Sequence, residues 1–157
     1  MTSCSGLDRQ HARAETGQVS APSEHEIGLL VDRFYDKVRQ DDQLAPIFLS
    51  AIAEDEWPKH LATMRDFWSS VMLTSGRYHG NPVATHRQLD GVTPEHFERW
   101  LQLFAETCQE LFAAPLTGAF MEKARRIAAS LQIAMFFRPE DLRVSGVPQH
   151  SPQSARG

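Results

Sequence analysis

The residues best suited to chemistry in this chain are imidazole, phenol and indole side chains. The sequence has no His-Glu-x-x-His, no Cys-x-x-Cys and no pair of Glu-x-x-His repeats, so a metal held by one of these common motifs is disfavoured. Tyr35 and Trp100 can donate hydrogen bonds, and His60 and His86 can donate, accept or bind a metal. Taken singly, such residues are more often core aromatics or surface histidines. Their chemistry therefore depends on the elements that bring them together.

Apolar residues recur at helical spacing in four segments, which predicts four substantial helices. These helices begin near Ser23, Asp55, Thr93 and Pro115. Between them, Pro46 predicts only a turn or a single helical turn, and Pro82 starts a short helical piece that runs to His86. No strand pattern and no internal repeat is visible, so the predicted fold class is all-α.

Length and composition predict one domain between two tails. A chain of 157 residues is long enough to bury one proper core. Residues 1–22 and 139–157 are rich in Ser, Gln, Pro, Gly and Arg and have almost no apolar periodicity. This composition is typical of disordered tails, which leaves the working domain at residues 23–138.

Charge and hydropathy argue against several classes of protein. The net charge of -4 comes from interspersed charges without a basic cluster, so a nucleic-acid partner is not expected. No stretch approaches the roughly 20 apolar residues that span a membrane. The polar first 20 residues hold no apolar segment of signal-peptide length, so we expect a cytoplasmic protein. Cys4 and Cys108 are poor material for a disulfide framework and are expected to be free thiols.

Several short motifs occur in an order and at a spacing that resemble the group III truncated haemoglobins. They span roughly residues 24–137 and are Phe34-Tyr35-Asp36-Lys37-Val38-Arg39, Pro46-Ile47-Phe48, Trp57-Pro58-Lys59-His60 with Phe67-Trp68, Gly76-Arg77-Tyr78-His79-Gly80, Pro82, His86-Arg87-Gln88-Leu89, and His96-Phe97-Glu98-Arg99-Trp100-Leu101 with Phe104. No one motif is diagnostic, and the specificity lies in their succession. The resemblance implies a shortened globin in which two helices pack on two around one haem b.

The resemblance also implies which residues surround the haem. It puts the iron ligand at His86, and Tyr35, Trp100 and His60 around a bound diatomic gas. Met64 lies four residues after His60 and shares its helix face, which in this family covers the distal side of the haem. The other predicted haem contacts are the aromatic residues Phe48, Trp68 and Phe104. Candidates for the haem propionates are Arg77, His79 and Arg87, although solvated cationic side chains are commoner in loops.

Such a site would bind dioxygen, nitric oxide or carbon monoxide reversibly at the haem iron, as in oxygen transport. An alternative is a haem redox enzyme, a nitric oxide dioxygenase or a peroxidase-like protein. It would need an external reductase protein, because the sequence has no flavin or nicotinamide motif. A third alternative is a cofactor-free helical interaction domain whose His and Trp residues are structural. We expect a monomer that binds neither nucleic acid nor membranes.

Overall fold

The computed structural model describes residues 20–138 and residue 140, and helices joined by short loops make up that part of the chain. Six α-helices follow one another: α1 Glu24–Val38, α2 Ala45–Ala51, α3 Trp57–Leu73, α4 Pro82–Arg87, α5 Pro94–Leu111 and α6 Ala114–Phe136. A 3-10 turn, Glu54–Glu56, leads into α3. The described residues form no strand, so the all-α prediction is confirmed. The predicted tails, 1–22 and 139–157, fall outside the described residues apart from residues 20–22 and 140, and Cys4 lies outside them too.

The helix starts follow the capping signals in the sequence. Ser23 Oγ accepts a hydrogen bond from the Glu26 N–H at 3.1 Å, and Glu26 Oε1 accepts one from the Ser23 N–H at 3.0 Å. This is the reciprocal capping box that the spacing predicts. Asn81 caps α4 by accepting the Ala84 N–H at 3.1 Å, with Pro82 following it in the first turn. The capped starts therefore fix where α1 and α4 begin.

The segment around Pro46 is longer than predicted. It forms α2, a helix of seven residues, where the sequence predicts a turn or a single helical turn. Pro46 lies in the first turn of this helix, where a backbone N–H has no intrahelical acceptor, so the proline does not interrupt it. The last helix likewise begins at Ala114 and contains Pro115 in its first turn.

Two apolar clusters form the interior. The larger cluster, the main core, is built chiefly by α1, α3, α5 and α6 and includes the fully buried rings of Phe34, Phe104 and Phe120. The smaller, the second core, contains the buried residues Phe97, Ala128 and Leu131 and is covered in part by Val83 of α4. Helix α3 packs on α1, whereas α4 packs on α6. Helices α3 and α4 are therefore supported by different parts of the interior.

Ion pairing joins the corner between α1 and α2 to α5. Arg99 donates from Nε and from a terminal nitrogen to Asp41 Oδ1, at 2.9 Å and 2.6 Å, and the Asp41 side chain is 8% exposed. Burial opposes ionisation of Asp41, but the hydrogen bonds from Arg99 and from the N–H groups of Leu44 and Gln43 outweigh it, so the pKa of Asp41 is lowered. This pair fixes α5 immediately before Trp100.

Among the helices of the described residues, none is both long and apolar enough to cross a bilayer. Cys108 is a buried free thiol, as predicted, and burial raises its pKa to about 12. A thiol in this state is a small apolar core group and is not a reactive nucleophile.

Candidate functional site

Four side chains from α1 and α3 meet around Tyr35, and we call them the Tyr35 cluster: Tyr35, Trp57, His60 and Met64. Tyr35 is 4% exposed, and its hydroxyl donates a hydrogen bond to Met64 Sδ at 2.9 Å. Its ring lies 5.0 Å from the His60 ring, with the two planes perpendicular. The arrangement follows from helical geometry. His60 and Met64 are four residues apart on α3, and Tyr35 projects about 100° round α1 from its core neighbour Phe34.

The electrostatics of the Tyr35 cluster favour a small polar ligand. Burial raises the pKa of Tyr35, which therefore stays a neutral phenol able to donate. Burial also lowers the pKa of His60, so its imidazole is neutral at pH 7. His60 Nε2 is buried and has no hydrogen-bond partner in the described part of the chain. Because a thioether is a weak acceptor, a better acceptor could replace Met64 as the partner of the Tyr35 hydroxyl at little cost.

Trp57 also belongs to this cluster, although it is not among the residues predicted to surround the haem. Its ring is 3% exposed and packs edge-to-face on His60 at 5.5 Å and on Tyr35 at 6.2 Å. The guanidinium of Arg39 lies over its face, 4.6 Å from the ring centroid. Its indole Nε1 is buried and has no hydrogen-bond partner within the described residues. Its spacing of three residues from His60 was the available signal, since such residues share a helix face.

The remaining aromatic residues predicted for the site continue from this cluster as a series of ring contacts. Phe34 places its ring edge-to-face with both Tyr35, at 5.1 Å, and Trp100, at 5.3 Å. Trp100 stacks on Phe104 at 5.1 Å, and Phe104 stacks on Trp68 at 4.8 Å. Phe48 meets Tyr35 at 5.9 Å. The structure therefore brings together every predicted pocket residue except His86.

His86 lies on a different helix from the Tyr35 cluster, near the end of α4. Its Nδ1 is 2.7 Å from the carbonyl oxygen of Pro82, one turn earlier. A carbonyl can only accept, so Nδ1 carries a proton, and in a neutral imidazole the free lone pair is then on Nε2. Metal-binding histidines usually have one ring nitrogen oriented in this way. The half-buried His86 is thus prepared to bind a metal through Nε2.

A metal at this site would have to be held by more than protein side chains. The residues that the structure describes contain no group of three or more His, Cys, Asp or Glu placed to hold a metal ion. A single oriented imidazole suits an iron whose other ligands come from a prosthetic group.

Two of the three cationic candidates have protein partners in the structure. Arg77 pairs with Glu24 at 3.4 Å, and Arg87 Nε donates to the carbonyl oxygen of Ala134 at 3.2 Å. His79 is exposed. Contact of these three residues with a propionate group stays a prediction.

Comparison with known proteins finds globins. The family model described as "Protoglobin" matches residues 15–148. A protein of Campylobacter jejuni described as "Group 3 truncated hemoglobin ctb" is 34% identical over 116 residues, which are 73% of this chain and 91% of that protein. The crystal structure of a group III truncated hemoglobin from Campylobacter jejuni superimposes with a TM-score of 0.71 at 32% identity, covering 77% of this chain and 97% of the other.

Proposed function

Since the chain belongs to the group III truncated haemoglobins, we propose that it binds one haem b through His86 and a diatomic gas, dioxygen foremost, beside the Tyr35 cluster. Haem-based gas binding is the general property that the family supplies. The observation that carries the more specific proposal is the state of Tyr35 and His60. The Tyr35 side chain and the Nε2 atom of His60 are buried, yet Tyr35 bonds only to a thioether among the described residues and His60 Nε2 to none of them.

The residues of this chain fit a haem on two counts. His86 offers Nε2 because Nδ1 is engaged by Pro82. The half-buried rings of Phe48 and Trp100 offer apolar surface of the kind that packs on a porphyrin, and Trp100 is backed in the main core by the buried rings of Phe104 and Trp68. When bound, haem supplies an iron that takes a small gas molecule as a ligand.

The residues around the ligand have separate roles in this proposal. Tyr35 donates a hydrogen bond from its hydroxyl to the gas, and its hydrogen bond to Met64 is broken when it does so. Trp100 can add an indole N–H, which only donates and so favours a ligand that carries negative charge. His60 is a neutral side chain packed between Tyr35 and Trp57, and we propose that it controls access to the site.

The visible spectrum of the purified protein tests this function. Addition of haemin should give a one-to-one complex with a Soret band, and after reduction the spectrum should shift on exposure to dioxygen and to carbon monoxide. A folded protein that stays colourless with excess haemin would refute the proposal. It would instead favour a cofactor-free helical domain.

The second candidate is redox turnover at the same site, favoured by the same donors, because Tyr35 stays protonated and can stabilise negative charge. Nitric oxide, dioxygen and one electron give nitrate, and hydrogen peroxide, two electrons and two protons give two molecules of water. The electrons would come from a reductase protein. Consumption of nitric oxide or peroxide over many turnovers with a reductant supplied, and its loss in Tyr35→Phe, would identify an enzyme. Binding without turnover would leave a gas-binding protein.

A further inference from the structure

The element that carries His86 is too short to hold its own position. Helix α4 has six residues, far fewer than the roughly 12 to 15 that an isolated helix needs to be even marginally stable in water. None of its residues is fully buried. Contacts with α6 and the second core must therefore decide where His86 lies, and Val83 supplies the apolar part of them.

Arg87, the neighbour of His86, supplies the polar part. Its Nε donates to the carbonyl oxygen of Ala134 at 3.2 Å, across 47 residues of sequence. Ala134 lies in the last turn of α6, which closes with the Phe137 N–H bonded to the Ile133 carbonyl oxygen. The carbonyl end of a helix carries partial negative charge, and a guanidinium there is favourable. Arg87 thus acts as a capping side chain supplied to α6 by another helix.

We propose that Arg87 is a positioning residue for the iron ligand: by joining α4 to the last turn of α6, it fixes the place from which His86 reaches the haem. This inference rests on the proposed binding of haem through His86. It also gives Arg87 a function other than contact with a propionate. The guanidinium acts through the backbone of Ala134, and its effect reaches the haem only through His86.

Three variants of the haem-loaded protein test this role. Arg87→Met keeps the aliphatic stem and removes the donor, and Arg87→Lys keeps a cation that can partly replace it. The matched control is Arg126→Met, because Arg126 lies on α6 and pairs with Glu122 of the same helix. Circular dichroism confirms the fold of each variant. Resonance Raman spectroscopy of the ferrous protein measures the iron–histidine stretching band, and transfer to excess apomyoglobin measures haem loss.

We expect Arg87→Met to shift or broaden the iron–histidine band and to speed haem loss about fivefold. This effect is below the tenfold to hundredfold that is typical of partners that orient a metal ligand, because Arg87 is exposed. Arg87→Lys should lie between it and the parent, and Arg126→Met should match the parent. A band and a loss rate unchanged in a folded Arg87→Met protein would overturn the proposal.

Haem dimethyl ester separates this role from a propionate contact, because its two carboxylates are masked. If Arg87 acts through Ala134, Arg87→Met has the same effect with haem and with the ester. An effect that disappears with the ester would overturn the positioning role and assign Arg87 to a propionate. If the parent protein does not bind haem, both this inference and the proposed function fail. If the parent protein binds haem but the Arg87 variants behave like the parent, the inference alone fails.

Discussion

The Tyr35 cluster and helix α4 hold their functional side chains in opposite ways. Tyr35 and Trp57 are almost fully buried and belong to the main core, and their positions are fixed by helices of 15 and 17 residues. His86 is half-buried on a helix of six residues, next to a second core with only three buried members. The side that would contact the gas is therefore rigid by packing, whereas the side that would bind the iron depends on a few local bonds.

This difference predicts where the molecule tolerates change. Truncation of a large buried side chain in the main core leaves a cavity and costs about 2–5 kcal/mol of unfolding free energy. Substitutions in helix α4 should cost less unfolding free energy, because none of its residues is buried. Loss of one of its bonds should move His86 without unfolding the domain. Substitutions in the two regions should consequently separate ligand stabilisation from haem retention.

The largest effect should come from His86→Gly. Removing the only predicted protein bond to the iron should speed haem loss more than about a hundredfold, since removal of a residue that merely orients a ligand already costs tenfold to a hundredfold. Stopped-flow transfer to apomyoglobin measures the rate, and added imidazole should restore a histidine-like spectrum. The control is His25→Gly, at an exposed position on α1. An unchanged five-coordinate histidine spectrum in His86→Gly would assign the iron ligand elsewhere.

Tyr35→Phe should give the next largest effect and leave haem retention unchanged. A hydrogen bond to a charged partner is worth about 1.5–3 kcal/mol, so dioxygen should dissociate roughly ten to a hundred times faster. Carbon monoxide carries little charge, and its dissociation should barely change. Trp100→Phe should act in the same direction.

The only other tyrosine, Tyr78, provides the control. It is half-buried and packs on Phe67 at 5.1 Å, so Tyr78→Phe should leave dioxygen dissociation as it is. Equal changes for dioxygen and carbon monoxide in Tyr35→Phe would show a packing role for Tyr35. The Tyr35 cluster would then be part of the structural core and would not stabilise the ligand by hydrogen bonding.

Much of the fold and part of the site follow from local sequence signals. Helical periodicity and capping residues predict the helices, because these signals act within one or two turns, as at Ser23 and Asn81. The spacing of His60 and Met64 predicts that they share a face, and both do contact Tyr35. The residues also resemble a family closely enough to predict a two-on-two globin, which the structural match supports.

The features that the sequence does not predict depend on long-range approach. Arg39 covers Trp57 only because the end of α1 comes close to the start of α3. Arg87 meets Ala134 across 47 residues, and no local pattern distinguishes it from a solvated arginine. The length of α2 was missed for a different reason. A proline inside an apolar run can end a helix or begin one, and the run alone does not decide which.

A smaller effect is expected for His60, on ligand association. Its edge-to-face contacts with Tyr35 and Trp57 must separate if it swings out, and such pairs are worth about 0.5–1.5 kcal/mol. His60→Ala should therefore speed carbon monoxide association about two- to tenfold, measured by flash photolysis. Dissociation of dioxygen should change less. The opposite order would make His60 a ligand donor.

Lowering the pH should also speed ligand association in the parent protein, through the same movement of His60. Burial lowers the pKa of His60 from its ordinary 6.5, so the folded protein holds the neutral form and resists protonation until the pH falls below that value. Protonated His60 is disfavoured beside the phenol of Tyr35 and under the Arg39–Trp57 stack, and it should move to water. Association should thus be constant near pH 7 and rise below about pH 6.5. His60→Ala should lose this rise.

The smallest effect should be that of Met64→Leu, and it tests whether packing alone fixes Tyr35. The thioether accepts the Tyr35 hydrogen bond at 2.9 Å, but sulfur is a weak acceptor and leucine has nearly the same volume. If the main core holds the phenol, dioxygen dissociation should change less than about twofold. Met72→Leu, on the same helix and packed on the same core, is the control. If Met64→Leu loses dioxygen as fast as Tyr35→Phe does, the hydrogen bond to Met64 is what orients the Tyr35 hydroxyl. The Tyr35 cluster would then depend on one local hydrogen bond, much as we propose for α4 and the bond of Arg87.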